Sequence, residues 1–164
     1  MSKQRIGWDE LFLSIADLYS RRSMCKYFKV GVVFVRDNRI LTAGYNGPPK
    51  EEPHCEEIGC QKEDAFGNRL PAGSGLCRGA HAEMNAVANA ASEGVCLKNT
   101  KVYCTLSPCF DCAKVLVNLG IQEYVYYDDY PERENIMASE LFKRRGIITK
   151  KIERPKEKGG KSDD

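Results

Sequence analysis

Residues 101–127 read KVYCTLSPCFDCAKVLVNLGIQEYVYY. Lys101 to Leu106 forms a strand-like run, a helix opens near Cys109 and stops at Gly120, and Glu123 to Tyr127 forms a second strand-like run. The same alternation continues on both sides. Downstream, Asn135 to Arg145 has a helical pattern ending at Gly146, followed by a last strand from Ile147 to Ile152. Upstream, a helix runs from about His81 to Glu93 and stops at Gly94. A glycine just past each of three successive helices is good C-terminal punctuation. Strand and helix in alternation predict an α/β sandwich with a mixed sheet, and the helix between the last two strands predicts a parallel crossover there. Nearer the N-terminus, Val30 to Val35 and Arg39 to Tyr45 read as a hairpin turned at Asp37-Asn38. Trp8, Leu11, Phe12, Ile15, Leu18 and Tyr19 have the spacing of an amphipathic helix.

A length of 164 residues predicts one domain, taken as residues 1–152. The tail ERPKEKGGKSDD, residues 153–164, has no apolar anchor and is expected to be mobile. Hydrophobic residues at 42% and charged residues at 29% argue against wholesale disorder, and no apolar run approaches the roughly 18 residues of a spanning helix. The opening MSKQRIGWDE has no signal-peptide core, so a cytoplasmic location is expected. Lys and Arg number 25 against 23 Asp and Glu, which gives no electrostatic case for a nucleic-acid partner. Eight cysteines without a secretory signal point to metal binding or chemistry rather than disulfides. With two histidines, His54 and His81, any zinc site here must lean on thiolates. Residues 47–80 are irregular and rich in Pro and Gly, and a loop that long in one domain needs something to organise it.

The chemistry concentrates in His81-Ala82-Glu83 and Pro108-Cys109-Phe110-Asp111-Cys112. A C-x-x-C alone reads as a redox pair, half a structural zinc site or two buried cysteines. A catalytic zinc site gives a role to His81, Glu83 and both cysteines. His81, Cys109 and Cys112 supply one imidazole and two thiolates, leaving a fourth tetrahedral position for water. A helix N-terminus favours the thiolate forms, and zinc brings the water's pKa towards neutrality. Two residues apart on a regular helix, His81 and Glu83 would face nearly opposite ways, so both must sit in the first turn. Glu83 then takes the water's proton and returns it to a ring nitrogen and a leaving amine. The implied chemistry is hydrolytic loss of ammonia from an amidine-like ring carbon, and H-x-E…P-C-x-x-C is a known zinc-deaminase signature.

Three segments carry a closer resemblance: KVGVVFVRDNRILTAGYNGPP (29–49), HAEMNAV (81–87) and TLSPCFDCAKVLVNLGI (105–121). Over roughly residues 8–150 the chain resembles the deoxycytidylate deaminases, including phage enzymes and bacterial competence-operon homologues. The resemblance implies a cytidine-deaminase-like three-layer α/β/α sandwich with a mixed five-stranded sheet. It implies conversion of dCMP to dUMP, feeding thymidylate synthesis. Asn46 is then expected on the substrate sugar, although Asn46-Gly47 also reads as a simple tight turn. The backbones of Ala82 and Ser107 are expected near the pyrimidine edge, and Tyr126 or Tyr127 is expected to face the pocket, Tyr126 being the one taken for the site although alternation alone does not separate the two. Lys29, Arg78 and Lys114 are candidate phosphate donors, none of them assigned.

Some relatives carry a second, structural zinc, which would make 47–80 a zinc-stapled insertion. By position Cys25 and Cys55 match two of its ligands, and Cys60 and Cys77 would complete the set, with His54 as a substitute. The alternative is a set of unpaired thiols. Cys96 and Cys104 are expected in the core. The resemblance also implies a homo-oligomer, as in hexameric relatives, activated by dCTP with Mg²⁺ and inhibited by dTTP around Tyr45, Asn46 and Gly47. Two rival readings are a tRNA or other nucleic-acid deaminase and a non-catalytic, zinc-organised DNA-uptake protein.

Overall fold

Asp37 and Asn38 adopt φ of 52° and 58°, the left-handed pair that a two-residue hairpin needs. They join β1 (Gly31–Arg36) to β2 (Arg39–Tyr45) in antiparallel register, with Gly31 opposite Tyr45. The computed structural model describes residues 5–71 and 76–155. In chain order its remaining elements are α1 (Trp8–Ser20), α2 (Cys55–Ile58), α3 (Ala82–Ser92), β3 (Lys101–Leu106), α4 (Phe110–Leu119), β4 (Glu123–Asp128), α5 (Glu132–Arg144) and β5 (Ile148–Lys151). The sheet order is β2-β1-β3-β4-β5. β3 pairs antiparallel with β1 and parallel with β4, and β5 closes the sheet parallel to β4 across the expected α5 crossover.

Alternation along the strands builds two cores. Val32, Phe34, Val102, Cys104 and Tyr124 face α3, α4 and α5, where Ala86, Leu116 and Phe142 meet them. Val33, Val35, Tyr103, Val125 and Tyr127 face α1 and pack on Phe12, Leu13 and Ala16. The result is the three-layer α/β/α sandwich. Gly94, Gly120 and Gly146 take positive φ at the ends of α3, α4 and α5, as the punctuation predicts. The helix α5 starts three residues earlier than expected, directly after Pro131.

Two glycines set how closely helices ride on the sheet. A Cβ on Gly31 would lie 2.0 Å from the Ala16 carbonyl oxygen, so α1 rests its backbone on β1. This close approach selects the small Ala16 for the contact. It turns the buried face of α1 to Phe12, Leu13, Ala16 and Ser20, leaving Trp8, Leu18 and Tyr19 exposed instead of in the core. A Cβ on Gly44 would lie 2.6 Å from the Ala82 carbonyl oxygen, so the start of α3 is pressed onto β2. Residues 156–164 of the expected tail lie outside the described residues. At the tail's start, Arg154 pairs with Asp17 and, at 2.8 Å, with Asp128, and its guanidinium lies 4.7 Å from the Tyr127 ring centroid.

Candidate active site

His81 is not the first residue of α3 but its N-cap, with extended φ −69° and ψ 156°. That departure from helical geometry turns its imidazole to the same side as Glu83, the second helical residue. Cys109 repeats the arrangement before α4, with φ −69° and ψ 165°, and its sulfur accepts the Cys112 N–H at 3.4 Å. A thiol thus fills the capping place usually held by a serine or aspartate. His81 Nδ1 lies 3.2 Å from Cys109 Sγ and 3.5 Å from Cys112 Sγ. Among the described residues these three form the group of His, Cys, Asp or Glu ligand atoms that all lie within 4.8 Å of one another.

The donors polarise one another. A hydrogen bond from Cys112, with His81 beside it, lowers the pKa of Cys109 to about 4 against the opposing effect of burial. Cys109 in turn raises that of His81 to about 9, and Cys112, bonded to Cys109 and buried, holds its proton tightly. One imidazole and two thiols, sharing protons at helix N-termini, are a donor set that zinc fits. Glu83 is 5% exposed, and burial followed by the Cys109 charge raises its proton affinity. Its Oε1 lies 3.0 Å from the hydroxyl of fully buried Tyr124, which also lies 2.9 Å from the Leu106 carbonyl oxygen.

The triad opens into a cavity of about 300 Å³, the low end of the size for a small-molecule site. Asn46, Ala82 and Ser107, expected on the substrate, line it, and so does Gly47, expected on an effector. The Asn46 amide is tied to the chain before β1: Oδ1 accepts the Val30 N–H at 2.8 Å and Nδ2 donates to Phe28 O at 2.9 Å. Neither Asn46 nor Gly47 has positive φ, so the tight-turn alternative is not what this segment forms. Ser107 donates its N–H to Asp128 O at 2.8 Å, and its Oγ accepts the Tyr130 N–H at 2.7 Å. The Tyr45 carbonyl accepts from Asn85 Nδ2 at 2.9 Å.

Tyr126 is a correction. It does not line the cavity but a small recess behind Ser107 and Pro108. Tyr124, two residues earlier on the same sheet face, is the strand tyrosine that reaches Glu83, because strand side chains lean along the strand. Tyr127 lies on the opposite face, against α1. Lys29 and Lys114 do not line the cavity either, and Lys114 is paired to Asp111 at 2.6 Å. Arg78 interacts with Cys55 instead. The cations that do line it are Lys26, Lys62 and Arg69. The pattern of the sequence offered no signal for Arg69, which sits in the irregular segment. Tyr124 was legible only as a member of an alternating strand.

Cys25, His54, Cys55, Cys60 and Cys77 line the same cavity, but no three of their ligand atoms gather within 4.8 Å. Burial raises the Cys55 thiol's pKa, with Cys60 adding to it. His54 Nδ1, on this wall, and Arg78 Nε are buried without a hydrogen-bond partner. Cys104 is buried as expected, whereas Cys96 is exposed in the loop after α3.

Residues 6–128 match the family model of the cytidine and deoxycytidylate deaminase zinc-binding region. The chain is 33% identical to ComE operon protein 2 of Bacillus subtilis, over 92% of this chain and 74% of that one. It is 38% identical to the deoxycytidylate deaminase of Schizosaccharomyces pombe over 77% of its length, which spans only 38% of the yeast enzyme. The dCMP deaminase of cyanophage S-TIM5, solved in complex with dCMP and dUMP, superposes with a TM-score of 0.73 at 27% identity. That superposition covers 91% of this chain and 99% of the phage enzyme, whose architecture is the cytidine-deaminase-like sandwich.

Proposed function

The chain belongs to the cytidine and deoxycytidylate deaminase zinc-binding family, and on that premise we propose that it converts dCMP to dUMP with release of ammonia. The observation that carries this reading is the convergence of His81, Cys109 and Cys112 beside a buried Glu83. His81 Nδ1, Cys109 Sγ and Cys112 Sγ would hold zinc, which when bound acidifies a water molecule towards neutrality. Glu83 would take one proton from that water and pass it to N3 as the oxygen adds to C4 of cytosine, then take the second proton from the added hydroxyl and pass it to the departing amine. Water enters, ammonia leaves, and Glu83 ends the cycle as it began. Its raised proton affinity suits a group that must hold a proton between two transfers. Tyr124 fixes the carboxyl group's direction.

The first backbone N–H groups of α3, beginning at Ala82, have no partners within the helix and can donate to the pyrimidine edge. Asn46 and Ser107 complete the substrate wall, with Asn46 on the sugar. Tyr126 has no place in that wall. The product dUMP would feed thymidylate synthesis. A cytoplasmic location fits a cysteine-rich chain whose thiols are read as metal ligands. No helix among the described residues is long and apolar enough to cross a membrane.

A second zinc held by Cys25, Cys55, Cys60 and Cys77, with His54 as substitute, would staple residues 47–80. The shared wall and the unpartnered His54 Nδ1 support it, although the four thiols must draw closer to bind one ion. A homo-oligomer regulated by dCTP with Mg²⁺ and by dTTP, through Tyr45, Asn46 and Gly47, extends the reading. Exposed Trp8, Leu18 and Tyr19 on α1 support self-association. The activity is tested by the ultraviolet absorbance change when zinc-loaded protein meets dCMP, with deoxycytidine, CMP and dCTP in parallel. Turnover of dCMP is expected, and turnover of deoxycytidine alone would move the substrate to the nucleoside.

A further inference from the structure

The cavity's charge is divided. Glu83 and Glu134 lie near the metal triad, and both act on the His81 imidazole. Lys26, Lys62 and Arg69 line the same cavity where a short hairpin folds back over residues 26–28. Within the hairpin the backbones of Glu63 and Arg69 pair as an antiparallel bridge, and Leu70 N donates to Lys62 O at 2.7 Å. Asp64 closes the turn: its Oδ1 accepts the N–H groups of Phe66 at 2.9 Å and Asn68 at 2.8 Å, while Gly67 takes φ +79°. Glu63 docks the hairpin by accepting from Lys26 Nζ at 2.6 Å and from the Tyr27 hydroxyl.

This arrangement separates two of the three cations. Lys26 is neutralised by Glu63, whereas Arg69 has no carboxylate within ion-pairing distance among the described residues. The Arg69 guanidinium carbon lies 4.7 Å from both the Tyr27 and Phe28 ring centroids. Phe28 packs on Tyr130 at 5.9 Å, and Tyr130 N–H reaches Ser107, so the aromatic cradle is continuous with the metal end of the cavity. Contact with ring faces orients a planar guanidinium and leaves its N–H edge for an anion that accepts two bonds at once.

We propose that Arg69, cradled by Tyr27 and Phe28 on the 63–69 hairpin, binds the phosphate monoester of the substrate and makes this site select a nucleotide over a nucleoside. The assignment rests on the deamination reading above and deepens it. Among the described residues of this cavity, Arg69 is the aromatic-clamped cation without an ion pair, and it meets a dianionic phosphate through two parallel N–H···O bonds. Lys29, Arg78 and Lys114 carry no part of this task.

The test compares wild type, Arg69→Ala and Arg69→Lys, all zinc-loaded, on dCMP and on deoxycytidine. Arg69→Ala is expected to raise KM for dCMP on the order of 100-fold, with kcat and deoxycytidine turnover little changed. Arg69→Lys keeps the charge but loses the fork, and its KM should fall between the two. An unchanged dCMP KM in Arg69→Ala, or equal losses on both substrates, would overturn the assignment. Wild type inert towards dCMP would count against the deamination reading instead. Calorimetric affinities for dCMP and deoxycytidine across the same three proteins would then still decide the role of Arg69.

Discussion

The Tyr124 hydroxyl has one hydrogen and two oxygen neighbours, Glu83 Oε1 at 3.0 Å and Leu106 O at 2.9 Å. A buried carboxyl group with one neutral side-chain partner owes its aim to that partner. Replacement by phenylalanine keeps the packing against Phe142, whose ring centroid is 5.8 Å away, and removes the hydroxyl alone. Tyr124→Phe should lower kcat by roughly 10- to 100-fold, the scale of one hydrogen bond to a charged group. KM for dCMP and zinc content should stay near wild type. Steady-state kinetics with metal analysis would check this, and an unaltered kcat would remove Tyr124 from the account. The ligands and Glu83 were legible because metal chemistry demands particular residue types at particular spacings. Tyr124 was not, since its role depends on how far a strand side chain leans, and alternation reports only the face. Arg69 was hidden for a related reason: nothing in a Pro- and Gly-rich segment says which cation folds back onto the pocket.

At the scale of elements, the site is made by two helix starts. An extended residue precedes each of α3 and α4, so His81 and Cys109 look back over the ends of their helices while Glu83 and Cys112 follow within the first turn. The glycine stops, the hairpin turn and the α5 crossover followed from local backbone rules and were legible in advance. The buried face of α1 was not, because a tertiary contact, the backbone of Ala16 against Gly31, decides it. The proposed second zinc would act on the segment 47–80. Fully metallated protein should contain two zinc ions per chain by elemental analysis. Removing the second ion should expose this segment to proteolysis before the sheet, since closed thiolate sites contribute folding energy directly. One zinc per chain would leave Cys25, Cys55, Cys60 and Cys77 as free thiols.

For the whole molecule, the sheet order brings the start of β1 and the ends of β2 and β3 together with the starts of α3 and α4, and the hairpin at 63–69 walls the resulting cavity. A formal net charge of +2 leaves recognition to this local arrangement rather than to a basic surface. Regulation belongs to this scale as well. Sigmoidal saturation by dCMP that becomes hyperbolic with dCTP and Mg²⁺ is the expected behaviour, and hyperbolic curves indifferent to dCTP and dTTP would remove the effector site at Tyr45, Asn46 and Gly47. The central claim is hydrolysis at the His81, Cys109 and Cys112 centre with Glu83 as proton carrier. Its most direct test is dCMP turnover in ¹⁸O-labelled water by zinc-loaded wild type and Glu83→Gln, read by mass spectrometry of the product base and by ammonia release. The account predicts that wild type forms dUMP carrying label at C4 with matching ammonia, while Glu83→Gln retains zinc and forms almost none. Equal turnover by the two proteins, or no turnover by wild type with its zinc in place, would contradict it.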